Sequence, residues 1–532
     1  MKRTIFAGVC ASVFLVMLLV VVAERLLVMR ICGGEYIFPI DDTYIHLAMA
    51  KNLALHGVWG VEPGARAFCS SSPLWTLALS AHYAVFGIGE LLPWLLAFGF
   101  NVMSAFAVIW LLSRMRANAW VCLTGALFVV VSAPFITTTA LGMEHSMHGF
   151  CILATIVLAE RIPALRWRDV LLASGLAAAA TCTRYESLFL LLPLGVGVGI
   201  LEMVELWRQG RHPIPLRSGV FVAASVMPVF AYGVWALCLG GRFLPNSLLL
   251  KGNFMTFGEL VRMMIGLLGS VRPGCGFLYV LALSLGVVAV MPGTRTPCYW
   301  RVAAASGIIA IVGQMLFANV GQLCRYESYL TAAGAMVVVA CAVSGGMGRI
   351  PAERCALLAV FAFSGWVFLA RAVQSFGEAV QSSSDICNQQ VLMTRIMSEI
   401  PEEDRGCVAL NDLGYMAMYG GFPILDMWGL GSQDVAELLL KHRGIWLRDD
   451  YERLFPAHNV KYVVAFEQWY PIGLMPTGTI DVATLRLKDN FACGSDTVVF
   501  RATSPEAASR LERHLQKYVD RMPPRTRLWI CR

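Results

Sequence analysis

Eleven apolar stretches, each close to the length that crosses a bilayer, fill most of the first 373 residues. A helix rises 1.5 Å per residue, so about 20 apolar residues traverse a hydrocarbon core ~30 Å thick. The first stretch covers 5–23. The others lie near 90–112, 119–137, 145–160, 169–183, 187–204, 218–239, 274–292, 300–319, 327–344 and 354–373. Charged residues make up 14% of the chain and hydrophobic ones 57%, whereas a soluble domain carries about 25% charged residues. The expected fold class is a polytopic α-helical membrane protein with about 11 transmembrane helices. The N-terminal stretch follows Lys2 and Arg3 but exceeds the ~7–15-residue core of a signal peptide and lacks a small-residue cleavage site. It reads as an uncleaved first span.

Loop charge sets the expected orientation. With the N-terminus cytoplasmic, basic residues collect in alternate loops: Lys2 and Arg3; Arg114 and Arg116; Arg161, Arg166 and Arg168; Arg208, Arg211 and Arg217; Arg295 and Arg301; Arg349 and Arg354. This is the positive-inside pattern. The short apolar stretch 73–87 is therefore read as a juxtamembrane or re-entrant helix, because counting it as a span breaks the alternation at Arg114. An odd number of spans sends the C-terminal part outside. Residues 1–373 then form the transmembrane domain, with an outer loop over 30–89, and 374–532 form a more polar domain. Strand-like Cys407–Leu410 and 461–466 alternate there with a helical pattern over 505–518, which predicts a C-terminal α/β extracytoplasmic domain. Most of the sixteen cysteines sit in apolar runs; a disulfide among Cys32, Cys69, Cys387, Cys407, Cys493 and Cys531 is left open. The net charge of +7 is spread over loops and points to no nucleic-acid partner.

In this topology the unusual polar residues share one side. Asp41, Asp42 and Tyr44 lie in the first outer loop, Glu144 and His145 in the second, Arg184 and Glu186 in the third, Asn246 and Lys251 in the fourth, and Arg325, Tyr326 and Glu327 in the fifth. Each group has a plainer explanation. Asp41 and Asp42 fit a helix cap. Glu144 and His145 fit an interfacial helix start. Arg184 with Glu186, and Arg325 with Glu327, fit internal ion pairs. Asn246 fits an ordinary turn. Charge near a bilayer is costly unless paired or functional. Five loops bringing both signs to one face point to a pocket for an anionic ligand.

The segment Asp-Asp-Thr-Tyr-Ile-His-Leu-Ala-Met-Ala-Lys-Asn-Leu (41–53), followed by Ser-Ser-Ser-Pro-Leu-Trp-Thr (70–76), resembles the first outer loop of GT-C-type glycosyltransferases. It is most similar to the terminal arabinofuranosyltransferase-like subgroup. Further matches follow in order: Leu-Gly-Met-Glu-His (141–145), Thr-Arg-Tyr-Glu (183–186), Leu-Pro-Asn-Ser (244–247) with Lys251, and Cys-Arg-Tyr (324–326). Asn-Asp-Leu-Gly-Tyr (411–415) and Ile-Leu-Asp-Met-Trp-Gly-Leu (424–430) look like the family's outer domain. Ser-Ser-Ser-Pro stands where Ser-Asn-Pro is usual, and Arg-Tyr-Glu where Arg-Pro-Glu is usual, which leaves sugar and acceptor open.

The resemblance implies an inverting glycosyltransferase. It would move a sugar from a polyprenyl-phosphate donor to a cell-envelope glycan or lipid acceptor, in a bacterial inner membrane, on its periplasmic face. Asp42 is the expected general base, with Asp41 as its partner or alternative. Arg184, Arg325 and Lys251 are expected to hold the donor phosphate. Tyr44, Trp75, Glu144, His145, Glu186 and Asn246 are expected substrate contacts. No metal ligand set is assigned, and Mg²⁺ or Mn²⁺ is an optional cofactor. The alternatives are a transporter or flippase of lipid-linked sugars, a non-catalytic envelope assembly protein, or a glycosyltransferase acting on protein or lipid A.

Overall fold

The computed structural model describes residues 3–164, 166–251, 258–259, 262–263, 266, 274–290, 297–344 and 351–531. Lys2, Arg295 and Arg349 of the loop-charge pattern, and 291–292 of the eighth expected span, lie outside the described residues. Each of the eleven expected spans is a helix: Arg3–Ile31, Leu91–Arg114, Ala119–Ser132, His145–Ala159, Trp167–Thr183, Leu188–Arg208, Leu216–Cys238, Gly276–Val290, Cys298–Phe317, Ser328–Ser344 and Pro351–Ile386. Six helices among the described residues have the length and hydropathy to cross a membrane alone, and four shorter apolar helices accompany them.

Three expected spans differ in extent by five residues or more. The first helix runs to Ile31, beyond the apolar stretch ending at 23. The stretch expected to end at 137 stops at Ser132, and a six-residue helix, Phe135–Ala140, follows. Pro134 lies between them; its ring and missing N–H break the ladder. The last helix runs for 36 residues, beyond the apolar stretch ending at 373.

The chain forms two compact units. The first comprises Met1–Glu24, Leu91–Tyr232 and Gly252–Gly377; the second comprises Arg25–Glu90, Gly233–Lys251 and Glu378–Arg532.

In the first unit, Ser328–Ser344 is sheathed on every side, with Ser328 through Ala342 all buried. A helix that is apolar all round belongs in a core. Its small residues allow close packing: a Cβ at Gly334 would lie 2.8 Å from Leu281 of Gly276–Val290.

The second unit carries a six-stranded sheet: β1 (Cys407–Leu410), β2 (Ile424–Asp426), β3 (Val460–Phe466), β4 (Ile480–Leu487), β5 (Thr497–Ala502) and β6 (Thr526–Ile530), in the order β2-β1-β3-β5-β4-β6. β1 is parallel to β2 and β3, and the pairs β3–β5, β5–β4 and β4–β6 are antiparallel. β1 and β3 are the strands read from the sequence. Tyr451, Leu454 and Phe455 of Arg448–Ala457, with Val435 and Leu439 of Gln433–Lys441, pack against Ala409, Leu425, Val463 and Ala465. The helix expected over 505–518 spans Pro505–Gln516, capped by Ser504 Oγ accepting from Ala507 N–H at 3.2 Å. The same unit holds Asp41–His56, Pro73–Phe86 and Asn246–Lys251. Pro73–Phe86 is the helix expected over 73–87.

Candidate functional site

In the second unit the two neighbouring aspartates have different environments. Asp41 and Asp42 open the helix Asp41–His56, but its N-cap residue is Ile40 and no side chain caps it. Capping therefore does not explain the pair. Asp41 is buried, and its carboxylate accepts N–H from Gly414 at 2.5 Å and from Tyr415 at 2.9 Å. Asp412 lies beside it, close enough to raise its pKa electrostatically, and its own carboxylate accepts from Gln390 Nε2. Asp42 is turned differently: its side chain is 28% exposed and its Oδ1 lies 3.4 Å from Lys251 Nζ. Asp41 is thus a fastening point, and Asp42 is the accessible carboxylate.

Tyr44 accepts the Phe38 N–H on its hydroxyl at 2.9 Å and packs edge-on against Tyr415. Asn246 donates its main-chain N–H to Phe68 at 2.8 Å and its side-chain amide to Gln433 at 3.1 Å. Those bonds draw the 68–76 segment and Asn246–Lys251 together. Among the described residues, Ser72 Oγ, Trp75 Nε1, Asn246 Oδ1 and Ser247 Oγ are buried polar atoms without a hydrogen-bond partner. Buried polar groups are nearly always satisfied. A hydroxylated ligand or ordered water is what such atoms take up.

Asp426 closes β2 and accepts N–H from Trp428 at 2.9 Å and Gly431 at 2.7 Å. This pins the turn after β2, in which Gly429 adopts φ +80° and has no room for a Cβ beside Ala436. Burial pushes Asp426 up to about 6. Burial, and then the neighbouring Asp412, push Asp41 well above the usual carboxylate range; burial raises Asp412 too. A carboxyl raised on folding keeps a proton that the unfolded chain has released. Its stabilising contribution is full below the unfolded value of about 4 and is lost as pH rises through the folded value. For Asp426 that window is about 4 to 6, worth on the order of 3 kcal/mol at 1.36 kcal/mol per unit. Thermal unfolding of the second unit should therefore fall from pH 4 to 6.5. Asp426→Asn should flatten that slope while lowering absolute stability, because an amide oxygen replaces only one of two acceptors. An unchanged slope in the variant would contradict the assignment.

In the first unit, Arg184 bridges two carboxylates, Glu144 at 2.8 Å and Glu186 at 2.7 Å. Glu144 ends the turn before His145–Ala159, and Arg184 sits in the extended link after Trp167–Thr183. The guanidinium also lies 5.3 Å from the Tyr326 ring. Arg325 lies 4.7 Å from that ring on its own account, and donates to Gln322 Oε1 at 2.5 Å and Tyr326 Oη at 2.9 Å. His145 is buried edge-on to Tyr326. Glu327 pairs with Arg371 and accepts the Gly321 N–H at 2.8 Å.

The turn before Arg325 is strained. Gln322, Leu323 and Cys324 all have positive φ, of 47°, 60° and 59°. Each non-glycine residue in that region costs roughly 1–2 kcal/mol. Such strain persists where surrounding contacts over-determine it, commonly at functional positions. The grip of Glu327 on Gly321 is one of those contacts.

Within each unit the expected residues gather. His145, Arg184 and Arg325 stand around Tyr326 in the first, with Glu144 and Glu186 held on Arg184. Asp41, Asp42, Tyr44, Trp75, Asn246 and Lys251 lie on linked segments of the second. Sequence reasoning did not single out Arg371, Gln390 or Gly414 as site residues. An arginine well inside the apolar stretch that begins at Arg354 was the available signal for Arg371. Gly414 lies within the 411–415 motif without a role assigned to it, and nothing local marks Gln390.

Residues 384–508 match a family described as a domain of unknown function, DUF8728. No curated protein sequence matches the chain. Among solved structures, ArnT from Cupriavidus metallidurans bound to undecaprenyl phosphate is 13% identical, with a TM-score of 0.53 over 95% of this chain and 99% of that one. ArnT in the apo state is 12% identical, with a TM-score of 0.53 over 93% and 98%. An oligosaccharyltransferase from Archaeoglobus fulgidus, in complex with Zn and sulfate, is 13% identical, with a TM-score of 0.47 over 94% and 77%. The eleven helices, the C-terminal α/β domain and the end-to-end likeness to ArnT make this chain a multi-pass membrane protein of the GT-C fold.

Proposed function

We propose that the protein is an inverting glycosyltransferase that moves a sugar from a polyprenyl-phosphate carrier to a cell-envelope glycan or lipid. The observation that carries this reading is the division of labour between the two aspartates. One is buried and committed to backbone N–H groups; the other is accessible and paired with a lysine 3.4 Å away. The likeness to ArnT, whose structure holds undecaprenyl phosphate, supports the donor class.

The chemistry needs a base more than a leaving group, because the donor phosphate already departs readily while a sugar hydroxyl attacks poorly at neutral pH. Asp42 takes the hydroxyl proton as the new C–O bond forms opposite the departing phosphate. Attack from that side inverts the anomeric centre through an oxocarbenium-like transition state. Lys251 carries a point charge suited to the phosphate. A phosphate that draws Lys251 away leaves Asp42 able to accept the proton. The unpartnered Trp75, Ser72, Asn246 and Ser247 atoms suit sugar hydroxyls. Donor-phosphate roles for Arg184 and Arg325 rest on the sequence resemblance, as does an extracytoplasmic site in a bacterial inner membrane. The arabinofuranosyltransferase-like subgroup rests on the same ground. A divalent cation is not written into any step; turnover compared with and without a chelator decides its part.

Mass spectrometry of envelope glycans and lipids from a deletion strain tests the reading. One sugar should be missing from one acceptor, with its polyprenyl-linked donor accumulating. An unchanged glycan and lipid profile, or a donor that stays on the cytoplasmic leaflet, would count against transfer and for transport.

A further inference from the structure

A second polar cleft of about 860 Å³ opens on the sheet of the second unit, between the ends of β4, β5 and β6. Four cations line it, Arg486, Lys488, Arg525 and Arg527, against two carboxylates, Asp489 and Asp496. One cation is committed, Arg525, held by the buried Asp385 at 2.7 Å; Arg486 is exposed and touches Asp496 only at its Nε, 3.3 Å away, which leaves the rest of its guanidinium fork facing solvent. Among the described residues, neither Lys488 nor Arg527 has a carboxylate within 4.0 Å.

The strand register makes this unusual. Arg486 of β4 stands directly opposite Arg527 of β6, and Thr484 directly opposite Trp529. Residues two apart on a strand share a face. Arg486, Arg527 and Trp529 are all exposed, Trp529 by 46%. Like charges facing each other across a strand pair are destabilising. Charge on an edge strand such as β6 has a protective use, since it discourages pairing with another sheet. That use does not call for a second arginine on β4, which is interior. An anion lying between the two guanidiniums turns the repulsion into two forked contacts. The neighbouring indole offers a flat apolar face with a wet edge, which suits the C–H face of a sugar ring.

We infer that this cleft binds an anionic saccharide, its carboxylate or phosphate between Arg486 and Arg527 and its ring on Trp529. The inference goes beyond the transfer reaction and is judged by binding alone. The test uses the full-length protein in phosphatidylcholine nanodiscs, titrated calorimetrically with trigalacturonate, with maltotriose, and with phosphatidylglycerol vesicles. Trigalacturonate should bind and maltotriose should not, and binding should weaken as salt rises. Arg486→Gln combined with Arg527→Gln should weaken trigalacturonate at least tenfold, and Trp529→Ala should do likewise. Both variants should keep their apparent melting temperature, because in the double variant the relieved repulsion offsets the loss of the exposed Arg486–Asp496 contact. Equal affinity for maltotriose, unchanged trigalacturonate binding in the variants, a loss confined to vesicle binding, or a lowered melting temperature in the double variant would each overturn the inference. The vesicle outcome would mark the cleft as a lipid-surface contact, and the melting outcome as a structural charge pair.

Discussion

Purified Asp42→Asn should fold and melt like the parent protein yet transfer sugar about a thousandfold more slowly. A positioned general base contributes ~10²–10⁴ in rate, so the loss is on the order of 4 kcal/mol at 1.36 kcal/mol per decade. The effect on stability should be small. Asp42 is partly exposed and pairs with the partly exposed Lys251, and exposed ion pairs contribute ~0–1 kcal/mol. Asp41→Asn should show the opposite pattern. Its carboxylate serves two backbone N–H groups, and an amide oxygen serves only one well. Stability should drop while the folded fraction keeps turnover within about tenfold of the parent, well short of the loss a missing base produces. Lys251→Met should raise the donor KM more than it lowers kcat, as loss of a ground-state phosphate contact does. The readout is transfer from a defined polyprenyl-phosphate sugar in proteoliposomes, set beside thermal unfolding of each variant. Full turnover by both aspartate variants would end the base assignment. Loss of turnover in Asp41→Asn alone would transfer the role to Asp41.

The eleven helices were legible because a span announces itself over about twenty residues, and no local exception erases so long a signal. One boundary slipped because of a single residue, Pro134; the first and last helices run on past their apolar stretches instead. The site was legible only by residue type. Asp41 and Asp42 read as a pair in sequence, yet folding splits them: adjacent helical positions point about 100° apart, so one side chain meets Gly414 and Tyr415 while the other meets Lys251. The expected link between Arg325 and Glu327 was a matter of spacing, but Glu327 is paired with Arg371, 44 positions away. The roles of Gln390 and of Gly414, the latter inside a motif already singled out, stayed hidden because they are created by partners more than twenty residues distant, Asp412 and Asp41. β4 and β6 carry apolar and polar residues in turn only over short stretches, and β6 holds two exposed residues of opposite character, Arg527 and Trp529. Such a strand is defined by its partner more than by its own pattern.

Gly414→Ala should destabilise the second unit by roughly 3 kcal/mol or more, the reverse of what helix propensity predicts. Gly414 opens the helix Gly414–Tyr419 and has no positive φ, so alanine meets no conformational barrier there. In an open helix the change should gain up to ~1 kcal/mol. The obstacle is proximity. A Cβ on residue 414 would lie 2.1 Å from the Asp41 main-chain oxygen and 2.7 Å from Asp41 Oδ2. Relief requires the helix start to withdraw, which breaks the Gly414 and Tyr415 N–H bonds to the Asp41 carboxylate. Each bond to a charged or buried partner is worth ~1.5–3 kcal/mol, and overpacking adds ~1–3 kcal/mol. Thermal unfolding of the full-length variant in detergent, with limited proteolysis at the 411–415 segment, measures the effect. Because the nearest atom belongs to the main chain at 41, a second change to the Asp41 side chain should not restore stability. A Gly414→Ala protein as stable as the parent, or more so, would show that the close approach at Asp41 does not hold this helix in place.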